Sequence, residues 1–190
     1  MDFLVTALMG FICKNKDLSK EDYKIYQYGL QACLEMMFCF LVCFVIALKM
    51  KMLKECILFF GIFISTRSYI GGIHMKNYWH CFTISCGVFT FVLYLTKYFI
   101  MSDMNAFLLI LASISIIYYL EYSCQFNDYV SKEERNFYRN KMNIILCGWV
   151  IVFIVLIIFR LHSLLTLSAY AFLSIMFSKK AELIKNKIQK

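Results

Sequence analysis

CFTISCGVFTFVLYLTKYFIM, residues Cys81–Met101, is the stretch whose reading decides the fold. It supplies the roughly 20 apolar residues that a helix needs to cross about 30 Å of hydrocarbon. Its single charge, Lys97, lies close enough to the end to reach the interface along its own aliphatic stem. Moving outward, Met104–Tyr122 is a second such segment after the short Ser102-Asp103 break, and Leu30–Leu48 a third, with Glu35 nearer one end, where an acid costs less than at mid-membrane. Ile144–Phe159 and Leu161–Ser178 form a final pair, divided by Arg160 and His162 at a tight external turn. Cys56–Ile64 is intensely apolar but short, and it runs into Ser65-Thr66-Arg67-Ser68 before Gly71-Gly72, so this segment either spans or re-enters.

Composition supports that reading. With 62% hydrophobic residues and no proline, a water-soluble domain of 190 residues could hardly cover its apolar surface. The expected fold is an all-α integral membrane protein of about six hydrophobic helical segments, the second open to re-entrance, forming a single polytopic domain over 1–190. Residues 1–29 are expected to be an interfacial amphipathic segment, 30–178 the membrane helices, and 179–190 a basic cytoplasmic tail. Phe3–Ile12 is preceded by Asp2 rather than by a basic region, which does not suit a secretory signal. The aromatic residues near segment ends, among them Tyr118, Tyr119, Tyr122 and Trp149, are expected in interfacial belts.

The net charge of +8 is spread between and after the apolar segments instead of forming one stripe with a recognition motif. Anionic lipid headgroups are therefore the expected partner, and nucleic acid is not. The positive-inside bias places the tail, the polar stretch Cys124–Asn143 and Arg67–His80 in the cytoplasm. The basic Lys49–Lys54 loop fits this poorly if every segment spans. Nine cysteines without C-x-x-C spacing suggest neither a disulfide framework nor a metal site. Eight of them read as small packing residues.

The ninth, Cys81, sits in the densest cluster of reactive groups. Arg67, Gly71-Gly72, His74, Lys76, Asn77 and His80 precede it, and Ser85 follows. Polar groups at a membrane boundary are costly enough to need a reason, and a thiol becomes a strong nucleophile when an imidazole can take its proton. On one continuous helix, the seven-residue step from His74 to Cys81 would separate them by about 10.5 Å. The helix must therefore break: Gly71-Gly72 permit an irregular loop leading into His74, and Asn77, between His74 and Cys81, can cap a new helix with Cys81 in its first turn. Ser85, one turn later, shares the face of Cys81. His80 is a rival base, but neighbours on a helix point about 100° apart, so His74 is preferred. A zinc site from His74, His80, Cys81 and Cys86 fits no standard ligand spacing, and no cofactor or metal is expected.

These residues resemble the AgrB peptidases of bacterial quorum sensing. The likeness covers the chain in length and hydropathy, and it is specific at Arg67, Gly72, His74, Cys81 and Ser85, including the interval of seven. Tyr28-Gly29-Leu30 is also similar to the family's N-terminal region. The resemblance implies a cysteine endopeptidase, with His74 as general base and then acid and Cys81 as nucleophile. It would cleave an AgrD-like precursor near its C-terminal end through an acyl-enzyme thioester, which an internal Cys or Ser closes into a thiolactone or lactone ring. A homodimer is implied as well. Arg67 is a candidate for the precursor's acidic tail, and Glu35 and Asn77 are candidates to orient His74. Cys124–Asn143 departs from the family pattern in lacking proline and in its mixed charge, so no substrate role is carried over to it. The reading from another class is a small non-enzymatic membrane protein, a transporter subunit or assembly factor, with its charges as anchors.

Overall fold

The computed structural model describes residues 5–7, 9–10, 20–70, 78–123 and 132–188, and these are helical apart from short turns. Six long helices result: α1 (Lys20–Met50), α2 (Leu53–Ile70), α3 (Tyr78–Tyr98), α4 (Asp103–Ser123), α5 (Lys132–Ile158) and α6 (His162–Ile188). Four stretches are long and apolar enough to cross a membrane: Asp22–Met50, Trp79–Tyr98, Asp103–Leu120 and Asn136–Ile158. Apolar side chains such as Phe44, Phe91, Leu108 and Ile151 point outward from them, as lipid-facing helices require. α1 begins at Lys20, so 20–29, expected at the interface, is continuous with a spanning-length helix.

The centre of the bundle is its last helix. Every residue from Leu165 to Phe172 on α6 is buried, and α6 packs against α2, α3, α4 and α5. Thr166, Ser168, Ala169 and Ala171 keep this helix slim, which lowers its hydropathy and lets neighbours approach closely. Its buried polar groups are used. Thr166 Oγ1 accepts from the Met101 backbone N–H at 3.2 Å, Ser168 donates to Leu164 O at 2.8 Å, and Tyr170 donates to Phe99 O at 3.2 Å.

Helix directions alternate. α2 and α4 both start beside the start of α6, where Ser163 donates to Glu55 at 2.9 Å and His162 Nδ1 meets Asp103 Oδ1 at 2.6 Å. α2 then ends beside the far part of α6, where Lys179 reaches Ile70. No reversal falls within Leu53–Ile70; at 1.5 Å per residue this helix is about 27 Å long. α1 and α3 run parallel, since Phe38 meets Phe82, while Cys39 and Cys43 meet Cys86 further along both helices. The ring pairs Phe40–Phe60 and Phe60–Phe89 fasten α1, α2 and α3 together.

Trp149 fastens α5 to α2. Its indole lies against Gly61, with Cη2 3.5 Å from where a β-carbon would stand, and its Nε1 donates to Ser65 Oγ at 2.9 Å. It lies well inside α5 and between helices, so the expectation of an interfacial belt fails for this residue. The indole's polar edge finds its partner on a neighbouring helix instead. Tyr118 and Tyr119 are exposed towards the end of α4.

Two turns close one end without glycine. Lys51 and Arg160 take left-handed backbone, with φ of 59° and 54°. Met52 N–H bonds back to Ala47 O and Leu161 N–H to Leu156 O, the backbone pattern that satisfies the last carbonyls of α1 and α5. The turn expected at Arg160 and His162 is therefore present.

Candidate functional site

α2 and α3 bring the reactive cluster to the opposite end. Cys81 is the fourth residue of α3 and is half-buried as a free thiol. In a first helical turn the backbone N–H groups have no partner inside the helix, and they can donate to a developing oxyanion. His80 is exposed beside it, and Ser85 is half-buried one turn on. Ser85 thus lies on the same face as Cys81. Trp79 packs edge-on against Phe82, with ring centres 6.2 Å apart, and Phe82 leans on Phe38 of α1 at 5.4 Å. These rings wall the Cys81 turn on the α1 side.

Glu35 is half-buried on α1, one turn before Phe38, and accepts from Gln31 Nε2 at 3.1 Å. The parallel register of α1 and α3 sets Glu35 level with the first turn of α3. Arg67 lies in the last turn of α2, half-buried, with its guanidinium 5.1 Å from the Phe63 ring centre. The structure therefore brings Arg67, Glu35, Cys81 and Ser85 to one end of the bundle. His74, Gly72 and Asn77 lie outside the described residues.

The sequence makes Lys179 the first residue of a basic cytoplasmic tail. It is instead buried, with 4% of its surface exposed, and donates from Nζ to Ile70 O at 2.6 Å while pairing with Glu182 at 3.5 Å. α6 also continues as helix to Ile188. A lysine here satisfies a terminal carbonyl of α2 and complements that helix's negative end. It thereby fixes the point from which the chain leaves α2 towards His74. Helical spacing held the clue, because Lys179 falls four residues after Ile175 and seven after Phe172, both buried.

Cations gather at this end. Lys20, Lys24, Arg67, Lys132, Arg135, Arg139, Lys141, Lys179, Lys180, Lys185 and Lys187 belong to helix portions there, interspersed with Glu21, Asp22, Glu35, Glu121, Glu133, Glu134 and Glu182, against Lys49, Lys51, Lys54, Lys97 and Arg160 with Glu55 and Asp103 at the other.

The family model described as accessory gene regulator B matches residues 5–183 of this chain. An AgrB-like protein of Clostridium beijerinckii is 38% identical over 85 residues, a match covering 45% of this chain and 43% of that protein. No solved structure matches.

Proposed function

Because the chain belongs to the accessory gene regulator B family, we propose that it is a membrane cysteine endopeptidase of quorum sensing, acting on an AgrD-like precursor peptide. The supporting observation is the placement of a free, half-buried Cys81 in the first turn of α3, at the cation-rich end of a bundle of spanning-length helices.

In this reading His74 takes the proton of Cys81, and the sulfur attacks the scissile carbonyl. The N–H groups of the first turn hold the oxyanion. His74 then gives its proton to the departing amine, and the C-terminal part of the precursor leaves. The remaining acyl group is a thioester on Cys81. An internal Cys or Ser of the precursor attacks it, its proton passes to His74, and the ring closes as Cys81 regains its thiol. Closing the ring requires that this second nucleophile outrun water, which a site sheltered at the membrane face achieves by excluding water and holding the reacting groups close.

Ser85 donates a hydrogen bond to sulfur or substrate, Glu35 or Asn77 orients His74, and Gly72 allows the backbone to bend. Arg67 meets the precursor's acidic tail. Because positive charge favours the inner side, the site faces the cytoplasm, and the headgroups beside it are anionic. The protein works as a homodimer, without nucleic acid.

The test is direct. Membranes carrying the protein are mixed with a synthetic precursor, and products are read by mass spectrometry. Cleavage and a ring product lighter by one water are expected from wild type. Neither is expected from Cys81→Ala or His74→Ala, and cleavage persisting in both variants would end the proposal.

A further inference from the structure

Three cysteines far apart in sequence converge inside the bundle. Cys39 and Cys43, one turn apart on α1, face Cys86 on α3, whose Sγ is 3.9 Å from each of theirs. All three sulfurs lie within 4.8 Å of one another, and Cys43 is buried while the others are half-buried. Among the described residues this is the one group of side chains assembled like a metal-ligand set.

We propose that Cys39, Cys43 and Cys86 form a binding site for a thiophilic d10 metal ion, of the class of Cu(I), Zn(II) and Cd(II). Geometry is the first argument. Sulfurs about 2.3 Å from a shared ion stand about 3.8–4.0 Å from one another, so the two 3.9 Å separations need almost no change. A disulfide needs a single pair brought to about 2.05 Å, and here Cys86 is equally far from two partners. Three mutually close sulfurs are more than a crosslink uses and are what a trigonal thiolate site requires.

Ligand chemistry is the second argument. The set is all sulfur, without imidazole or carboxylate, which selects soft ions over magnesium, calcium or manganese. Each sulfur that ligates the ion gives up its proton, because the thiolate and not the thiol is the ligand. Zn(II) or Cd(II) on three thiolates, or Cu(I) on two, releases one proton for each metal–sulfur bond formed and leaves a single negative charge shared among the sulfurs. The ion thus neutralises most of the charge that deprotonation creates among apolar groups.

Access is the third. Cys86 also borders an open apolar groove of about 610 Å³, with Gly87, Thr90, Phe91 and Tyr94. An ion there would tie α1 to α3 one to two turns beyond Cys81 on the same helix. The site is separate from the proposed nucleophile and does not depend on peptidase activity.

Titration of the reduced full-length protein, in lipid nanodiscs without oxygen, tests this using Cu(I) or Cd(II) against a chelator of known affinity. One equivalent is expected to bind with an ultraviolet thiolate charge-transfer band. Cys81→Ala should retain that equivalent, whereas Cys39→Ala/Cys86→Ala should lose it. A second measurement needs no variant of the cluster: in wild type, bound metal should protect Cys39, Cys43 and Cys86 from a lipid-permeable maleimide, as mapped by mass spectrometry, while Cys33 and Cys147 remain reactive. Unchanged stoichiometry in the double variant, unaltered labelling of the three cysteines, or a disulfide among them in place of metal uptake overturns the proposal.

Discussion

Where α1 meets α2 and α5 meets α6, the chain reverses within a few residues. Lys51 and Arg160 adopt left-handed backbone there, and the pairs Ser163–Glu55 and His162–Asp103 join the helix starts. At the opposite end the segments 71–77 and 124–131 separate the helices, and Arg67, Glu35, Cys81 and Lys179 gather. One end satisfies its backbone groups with its own turns. The other uses a lysine from a distant helix to finish α2 and holds a thiol in a first helical turn. The difference teaches that the short turns fix the relative heights of the helices, and that fixed heights bring residues far apart in sequence level with Cys81.

The largest expected effect separates the two ends by activity. Cys81→Ala should lower precursor cleavage by about 10³-fold or more, the usual cost of removing a nucleophile. His162→Ala, at the other end, should leave cleavage within about twofold, since a largely exposed imidazole–carboxylate contact contributes only about 0–1 kcal/mol to stability. Rates measured on both variants in the same membranes decide it, and equal losses would erase the functional distinction between the ends.

Next comes the helix that joins them. Phe172 on α6 is fully buried and packs edge-on against Phe153, with ring centres 5.6 Å apart. Phe172→Ala should destabilise the bundle by about 2–3 kcal/mol, below the 3–5 kcal/mol typical of water-soluble cores. Lipid is itself apolar, so burial between helices brings little transfer energy and the loss is mainly of packing. Phe44→Ala on α1, where the ring is 46% exposed, should change stability by less than about 0.5 kcal/mol. Unfolding of both variants in mixed micelles, followed by helical circular dichroism, provides the comparison.

Lys179→Met is the next step down and acts at the open end. It keeps the length of the side chain but leaves Ile70 O without its donor, a loss of about 1–3 kcal/mol. Because the clamp fixes where the chain leaves α2 towards His74, the turnover of precursor should fall more than its KM changes. Lys179→Arg should recover part of the rate by restoring a donor. If turnover is unaffected while stability falls, the clamp serves the fold alone.

These contrasts also mark what the sequence can reveal. Hydropathy makes the spanning-length helices legible, because lipid permits only backbones that satisfy themselves. Cys81 is legible as a residue near a helix start, since its apolar run begins just after a polar, glycine-containing stretch. Lys179 is not, because lysine after an apolar run ordinarily marks an interface, and only the spacing from Phe172 and Ile175 reveals its buried face. Trp149 is misread for a similar reason: an indole suits a membrane boundary, and its Ser65 partner lies on a helix far away in sequence. The convergence of Cys39, Cys43 and Cys86 depends on the register of α1 against α3, which local periodicity does not contain.

The smallest effect tests the closed end. Lys51 and Arg160 hold positive φ where glycine would be at ease, and left-handed backbone costs other residues about 1–2 kcal/mol. Replacement by glycine removes that strain but adds freedom to the unfolded chain, an opposing cost of about 0.5–1 kcal/mol. Lys51→Gly should therefore stabilise the protein by about 0.5 kcal/mol, and Arg160→Gly similarly, with precursor cleavage unchanged. The sign is the informative part. A clear loss of stability in either variant would mean that the cationic side chain itself anchors this end, and that the turn geometry alone does not hold the helices level.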